Sequence, residues 1–390
     1  MKVLVIDAIF FQINEWSGIA KYWSNLLDDI DSYLSTGETE LTVYLLVRGN
    51  SRPLRTRSFT NIKLLPIHYW DPMATFSDYI KLGRLCEDLN ADAFISTYYT
   101  LAYNVANIGF AYDFIPERLN IIHSDPTWKI KYIYMKSLAN ILSISKSTSD
   151  EAQLFYPNLS STDDNIFYPH VNKSEIRKIP QEKRNEFRSK YGFKFPYIAV
   201  VGNRGGYKNV DILKASRKNP TRPLPLGIVF SSGENISPDD YNYYTNAFAY
   251  GVHRIDFDEE DMTLFLHCAE MLFYPSLLEG FGYPVLEAMV QGCPVITTGS
   301  TSINEILEHA VDHDFKKITG FSGDEAYEAI YELMNRRQRV SESTIIKLRE
   351  TFCKDRADKF IKRVLDLAKL NEIPRDDYLG SCSVIDGLQG

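Results

Sequence analysis

Long apolar runs are missing from this 390-residue sequence: nowhere do about 18 apolar residues follow one another, the length a membrane-spanning helix requires. The opening run from Val3 to Ile6 is broken by Asp7, too early for a signal peptide, so the chain is expected neither to be exported by that route nor to cross a membrane. Cysteine is sparse. Cys86, Cys268, Cys293, Cys353 and Cys382 are scattered, odd in number and without a CxxC spacing, which points to neither a disulfide framework nor a thiolate zinc site and suits a reducing cytoplasm. Surplus positive charge is lacking too. Against 43 Lys and Arg stand 51 Asp and Glu, a net charge of −8, so the overall field would repel a polyphosphate and no general affinity for nucleic acid is expected. The seven histidines form no HExxH, and neither a GxGxxG nor a P-loop ending occurs, which removes the fingerprints of zinc hydrolases, dehydrogenases and NTPases.

What is present is the composition of a globular enzyme, with 44% hydrophobic and 24% charged residues and a generous supply of rings in 25 Tyr and 22 Phe. A chain of this length exceeds one compact core, since domains usually hold roughly 100 to 200 residues, so two domains are expected. Short apolar runs alternate with amphipathic stretches, the pattern of a parallel sheet wrapped by helices, and the fold class is therefore α/β. Strands are expected at Val3 to Ile6, Leu41 to Val47, Ile62 to Ile67, Ala93 to Ser96, Ile108 to Tyr112 and Ile141 to Ile144. A second series follows at Tyr197 to Gly202, Gly227 to Phe230, Met271 to Tyr274 and Val295 to Thr298. Ile19, Tyr22, Trp23, Leu26, Leu27 and Ile30 recur at helical spacing after the first strand. These patterns give an N-terminal domain over 1–172, a polar connection, and a C-terminal domain over 190–353. A helix over about 354–370 is expected to pack back on the first domain, and 371–390 reads as a poorly ordered tail.

The most informative stretch runs from Pro275 to Gly292, Pro-Ser-Leu-Leu-Glu-Gly-Phe-Gly-Tyr-Pro-Val-Leu-Glu-Ala-Met-Val-Gln-Gly. It follows a strand, contains a Gly-x-Gly turn, starts a helix at Pro284, where a missing N–H costs nothing, and closes that helix at Gly292. A phosphate-bearing ligand can meet such a helix N-terminus, because free N–H groups and the helix dipole both favour an anion. Glu279 on the loop and Glu287 in the first turn can accept hydrogen bonds from vicinal hydroxyls, which a sugar and a ribose both offer.

This segment resembles the two-glutamate signature of glycosyltransferase family 4, whose fold, GT-B, sets two Rossmann-like domains face to face across a donor-binding cleft. Gly202-Asn203-Arg204-Gly205-Gly206-Tyr207-Lys208-Asn209 resembles the family's diphosphate-binding loop. The resemblance implies that Arg204 and Lys208 neutralise the donor diphosphate, that Glu287 holds the ribose and Glu279 the transferred sugar, and that the backbone around Phe281 and Gly282 meets sugar hydroxyls. Gly202, Tyr283 and Leu286 complete the implied donor site. In the first domain Ser17-Gly18-Ile19 resembles the loop that approaches the donor phosphate, with Gly18 in place and Ser17 where a second glycine is common. Tyr112-Asp113 resembles a His-Asp piece whose histidine lies beside the donor sugar, so a hydroxyl contact from Tyr112 is expected, with Asp113 orienting the loop and meeting the acceptor.

The resemblance further implies a retaining hexosyltransferase acting on a GDP- or UDP-linked donor, with a saccharide or lipid-linked acceptor and no cofactor. Asp256-Phe257-Asp258 and Asp312-His313-Asp314 are pairs of the kind that bind divalent cations in another glycosyltransferase fold, but both precede acidic helical segments, and no metal is expected. Arg48, Arg52, Arg55 and Arg57, with the basic and aromatic segment from Trp128 to Lys136, are candidate contacts to an anionic membrane surface. The enzyme is then expected in the cytoplasm, peripheral to the inner face of the membrane. Two other readings stay open: a nucleotide-sugar-binding protein of the same fold without catalysis, and an epimerase or phosphorylase.

Overall fold

A computed structural model describes residues 2–37, 39–49, 54, 57–171, 179–216, 223–353 and 356–370. It divides into two units. The first comprises Met1–Tyr168 and takes in the last described helix, Ala357–Leu370; the second comprises Pro169–Lys354. The first unit holds β1 (Lys2–Asp7), β2 (Leu41–Arg48), β3 (Lys63–Ile67), β4 (Ala93–Ser96), β5 (Asn107–Ala111) and β6 (Ile141–Ser143) in the order β3-β2-β1-β4-β5-β6. The second holds β7 (Tyr197–Val201), β8 (Gly227–Ser231), β9 (Val252–Arg254), β10 (Met271–Tyr274), β11 (Val295–Thr297) and β12 (Phe315–Lys317) in the order β12-β11-β10-β7-β8-β9. Every strand pairing is parallel, so each sheet is doubly wound, and in both the strand order reverses on either side of the first strand.

All ten expected strands form, because continuous apolar runs such as Val3 to Ile6 and Met271 to Phe273 bury both faces of a sheet covered by helices. β9 and β12 have no such run. They are three-residue edge strands, short and polar on their outer positions, and left no apolar signal in the sequence. Within the polar connection, Gln181–Lys190 is a helix of the second unit, anchored by Phe187, whose ring meets Tyr191, Phe193 and Phe257. Residues 172–178 of that connection, and the tail 371–390, lie outside the described residues.

In the first unit the helix Gly18–Leu34 starts at Ser17, whose Oγ accepts the Ala20 N–H, and buries Trp23 completely. Phe360 of the helix Ala357–Leu370 packs edge-on against Trp23 and Phe167, and Arg363 donates to Asn165 Oδ1 at 2.7 Å. Deeper lies an ionic knot. Arg48, at the end of β2, is fully buried and grips Asp7 at the end of β1 through Nε (2.7 Å) and Nη2 (2.8 Å). The same guanidinium reaches Asp78 of the helix Thr75–Asp88 through Nη1 (3.0 Å) and Nη2 (2.9 Å). Thr100 Oγ1 donates to Asp7, and His68 Nε2 lies 2.6 Å from Asp78 Oδ1. Burial by itself would lower the Arg48 pKa, yet the two carboxylates more than offset it and hold the guanidinium above its ordinary value.

Arg48 is therefore not a membrane-facing cation, and the reason is geometric: as the last residue of a central strand it points into the interior where two acids await it. Arg57 is likewise engaged, by Asp28 and by the Ser24 carbonyl at 3.0 Å, while Arg52 and Arg55 lie outside the described residues. In the helix Pro126–Lys136, Lys131 is also buried, donating to the Asp113 carbonyl (2.8 Å) and to Glu117 (2.7 Å). Removing the central cation leaves two acids uncompensated, so Arg48→Met is expected to cost about 3–5 kcal/mol in urea unfolding. A loss below about 1 kcal/mol, the range of an exposed pair, would show that the knot does not hold β1, β2 and the Thr75–Asp88 helix together.

Candidate functional site

Because the order reverses at β7, the chain leaves the C-terminal ends of β7 and β10 in opposite directions, the place where open parallel sheets bind their ligands. The loop after β7 begins at Gly202, whose φ of +92° only glycine adopts without strain and whose N–H donates to Ser231 O at 2.9 Å. It ends at Asn209, whose side chain donates to Gly320 O (2.8 Å) and Pro275 O (3.4 Å). The loop after β10 is stitched to its neighbours on both sides. Leu277 N–H donates to Tyr207 O (2.8 Å), and the hydroxyls of Thr301 and Ser302 donate to Glu279 O at 2.9 and 3.0 Å.

These bonds bring Lys208 and Glu279 together. Lys208 Nζ donates to Glu279 Oε1 at 2.6 Å and to the Tyr274 hydroxyl at 3.2 Å, and the Tyr274 hydroxyl donates to the same Oε1 at 2.7 Å. The ammonium also lies 5.3 Å from the ring centres of both Tyr207 and Tyr274. Burial, reinforced by the Glu279 carboxylate, pushes the Tyr274 phenol well above its ordinary pKa, so it stays a neutral donor. Tyr274 has no place among the residues the sequence singled out. Its signal was a phenol closing an otherwise apolar strand, five residues before Glu279.

The helix after the loop spans Tyr283–Val290, one residue earlier than Pro284, which falls at its second position. Its N-cap is Gly282 at φ +91°, where an added Cβ would approach Ile303 to 2.9 Å, so both the turn and the packing demand glycine. Gly282, lacking a side chain, supplies no cap of its own. Phe281 and Leu286 are buried, Phe281 against Phe352, so their side chains serve the core. The Tyr283 hydroxyl donates to His170 O. Glu287 opens the second turn, not the first, and lines a small cavity with Val171, Met262, Thr263, Leu266 and Gln291.

Arg204 departs from expectation. It is 3% exposed, donates to Glu234 O (2.8 Å) and Asn235 O (2.6 Å), and stacks over the Phe230 ring at 5.1 Å. A planar fork with two backbone carbonyls in reach is committed to the loop after β8, so Arg204 is not brought to Lys208 and Glu279. The Asp-x-Asp pieces are also used by the fold: Asp256 pairs with Arg254, Asp258 caps the helix Glu259–Cys268, and Asp314 accepts from Ser341 N–H and Oγ.

In the first unit Gly18 begins its helix with open space where a Cβ would stand. The Tyr112 hydroxyl points inward. It donates to Thr97 O at 2.7 Å and accepts the Trp23 indole N–H at 2.5 Å, so the expected sugar contact is corrected: β5 ends at Ala111 and the ring continues into its core. Asp113 is half-buried, and its Oδ1 accepts the Ile115 N–H at 3.1 Å, the loop-orienting bond the sequence suggested.

Residues 183–344 match the family described as Glycosyl transferases group 1. That match lies within the second unit. The structure of HepE from Anabaena in complex with UDP and glucose superposes with a TM-score of 0.67 at 13% identity, covering 94% of this chain and 99% of that one. The fold is GT-B. In sequence the chain is 28% identical over 186 residues to the O-antigen chain mannosyltransferase RfbU of Salmonella typhimurium, covering 44% of this chain and 46% of that protein. It is 42% identical over 52 residues to O-antigen chain mannosyltransferase B of Escherichia coli, covering 13% and 14%. The matches thus span less than half the length of either curated relative.

Two substitutions separate folding roles from ligand roles in this GT-B chain. Tyr112→Phe strands a buried indole N–H and should lower stability by about 1–3 kcal/mol in urea unfolding while turnover per folded molecule stays constant. Unchanged stability with reduced turnover would return Tyr112 to the ligand site. Arg204→Lys cannot keep the two-carbonyl fork and should destabilise the second unit by a similar 1–3 kcal/mol or so, with little effect on the affinity for a nucleoside diphosphate; a large affinity loss at unchanged stability would contradict the assignment.

Proposed function

We propose that this chain is a retaining glycosyltransferase that moves a hexose from a GDP- or UDP-linked donor onto a saccharide or lipid-linked acceptor in O-antigen or related polysaccharide assembly. It works in the cytoplasm, peripheral to the inner membrane face. The observation that carries the reading is the Lys208–Glu279 pair, held at the reversal point of the second sheet on the loop that leads into the N-terminus of the helix Tyr283–Val290. The O-antigen mannosyltransferases among the relatives, and the UDP and glucose bound by HepE, agree with this class of donor and acceptor.

A diphosphate entering the site meets a helix dipole fixed before it arrives and the ammonium of Lys208. As the bond from the anomeric carbon to phosphate breaks, negative charge grows on the leaving oxygen, and these groups stabilise it where it forms. The acceptor hydroxyl attacks the same face, its oxygen bonds to the anomeric carbon, and its proton passes to the departing phosphate oxygen. Retention follows from that shared face. Glu279 takes a sugar hydroxyl, and Glu287, on the next turn of the helix, takes the ribose. Lys208 supplies the positive charge that a divalent cation would otherwise provide, so the reaction is metal-independent.

Incubation with GDP- and UDP-linked hexoses should release nucleotide in the presence of acceptor, and EDTA should leave the rate unchanged. Lys208→Ala should lower turnover on the order of a hundredfold, as loss of one fixed donor at a developing charge does, while Glu287→Ala should weaken nucleotide binding in calorimetry. Turnover lost to EDTA and restored by Mn²⁺ or Mg²⁺ would end the metal-free mechanism. Binding of nucleotide sugars without transfer or hydrolysis would replace the enzyme by a binding protein.

A further inference from the structure

Both bonds that Glu279 receives on its carboxylate fall on one oxygen, Oε1: one from Lys208 Nζ and one from the Tyr274 hydroxyl. Oε2 takes neither. The phenol is buried at the end of β10, on the sheet itself, while Lys208 stands on the short turn Gly206–Lys208 of the facing loop. The two donors therefore differ in rigidity. The ammonium sits on a flexible stem that can swing to a diphosphate, whereas the tyrosine is anchored by its strand and its packing.

We propose that Tyr274 is a positioning residue which keeps Glu279 aimed at the donor sugar once Lys208 is drawn to the diphosphate. This deepens the reading of the site as a nucleotide-sugar site and rests on it. In the donor-free protein Lys208 and Tyr274 share Oε1. When a diphosphate enters, the ammonium moves its principal hydrogen bond from carboxylate to phosphate, and a carboxylate left without it would turn. The Tyr274 hydroxyl retains Oε1, so Oε2 stays presented to a sugar hydroxyl. No covalent bond changes, and the phenol remains protonated throughout.

The test compares wild type, Tyr274→Phe, Glu279→Gln and the double variant. Tyr274→Phe keeps the ring in the core, and thermal melting confirms its folding. Calorimetry with GDP and UDP alone should give unchanged affinity, while kcat with the matching nucleotide sugar should fall roughly ten- to a hundredfold, the value of a hydrogen bond to a charged group. In the Glu279→Gln background the same substitution should cost less than about threefold, because its effect passes through the glutamate. Equal kcat for wild type and Tyr274→Phe, a parallel loss of affinity for the bare nucleoside diphosphate, or additive losses in the double variant would overturn the proposal. A wild type that binds neither GDP nor UDP would instead remove the reading of the site, and the role of Tyr274 with it.

Discussion

An ammonium and a carboxylate 2.6 Å apart, at the place where a parallel sheet reverses its winding, set the character of the second unit. Neither could stand there alone, since each is largely withdrawn from water, and the pair is stable because each satisfies the other. Everything around it serves that placement. Gly202 and Gly282 turn the chain where no other residue would fit without strain, Asn209 fastens one loop to the other, and Thr301 and Ser302 hold the backbone of Glu279. The helix Tyr283–Val290 then starts four residues after Glu279, at the N-cap Gly282.

The other buried cations are enclosed more completely than Lys208. Arg48 and Lys131 are wholly enclosed among acids and carbonyls, and Arg204 is saturated by two carbonyls and a ring. Lys208 keeps a fifth of its side chain exposed, and on the proposed function its partner Glu279 takes a sugar hydroxyl. A cation with such a partner can exchange it for a phosphate at small cost; a cation inside a closed knot cannot.

Much of this was legible in the sequence. Unbroken apolar runs gave the parallel strands, and the Gly-Phe-Gly turn before Pro284 placed a helix N-terminus within one residue of where it lies, because turn chemistry and proline preference are local. Lys208 and Glu279 were singled out by local signals of the same kind. The sequence failed where the deciding contact was distant. Arg204 sits four residues from Lys208 with the same charge, and only the carbonyls of Glu234 and Asn235, some thirty residues away, consign it to the fold. Tyr112 was misplaced because its partners, Trp23 and Thr97, come from a helix and a loop whose approach no local pattern encodes. The strands β9 and β12 escaped because three residues carry too little periodicity.

The central claim is that the Lys208–Glu279 pair is the seat of a nucleotide sugar. A crystal structure of the protein grown with its nucleoside diphosphate sugar tests it most directly. The account predicts the Lys208 ammonium within hydrogen-bond distance of a diphosphate oxygen, with Glu279 against the sugar. A diphosphate bound elsewhere, with Lys208 still closed on Glu279, would contradict it.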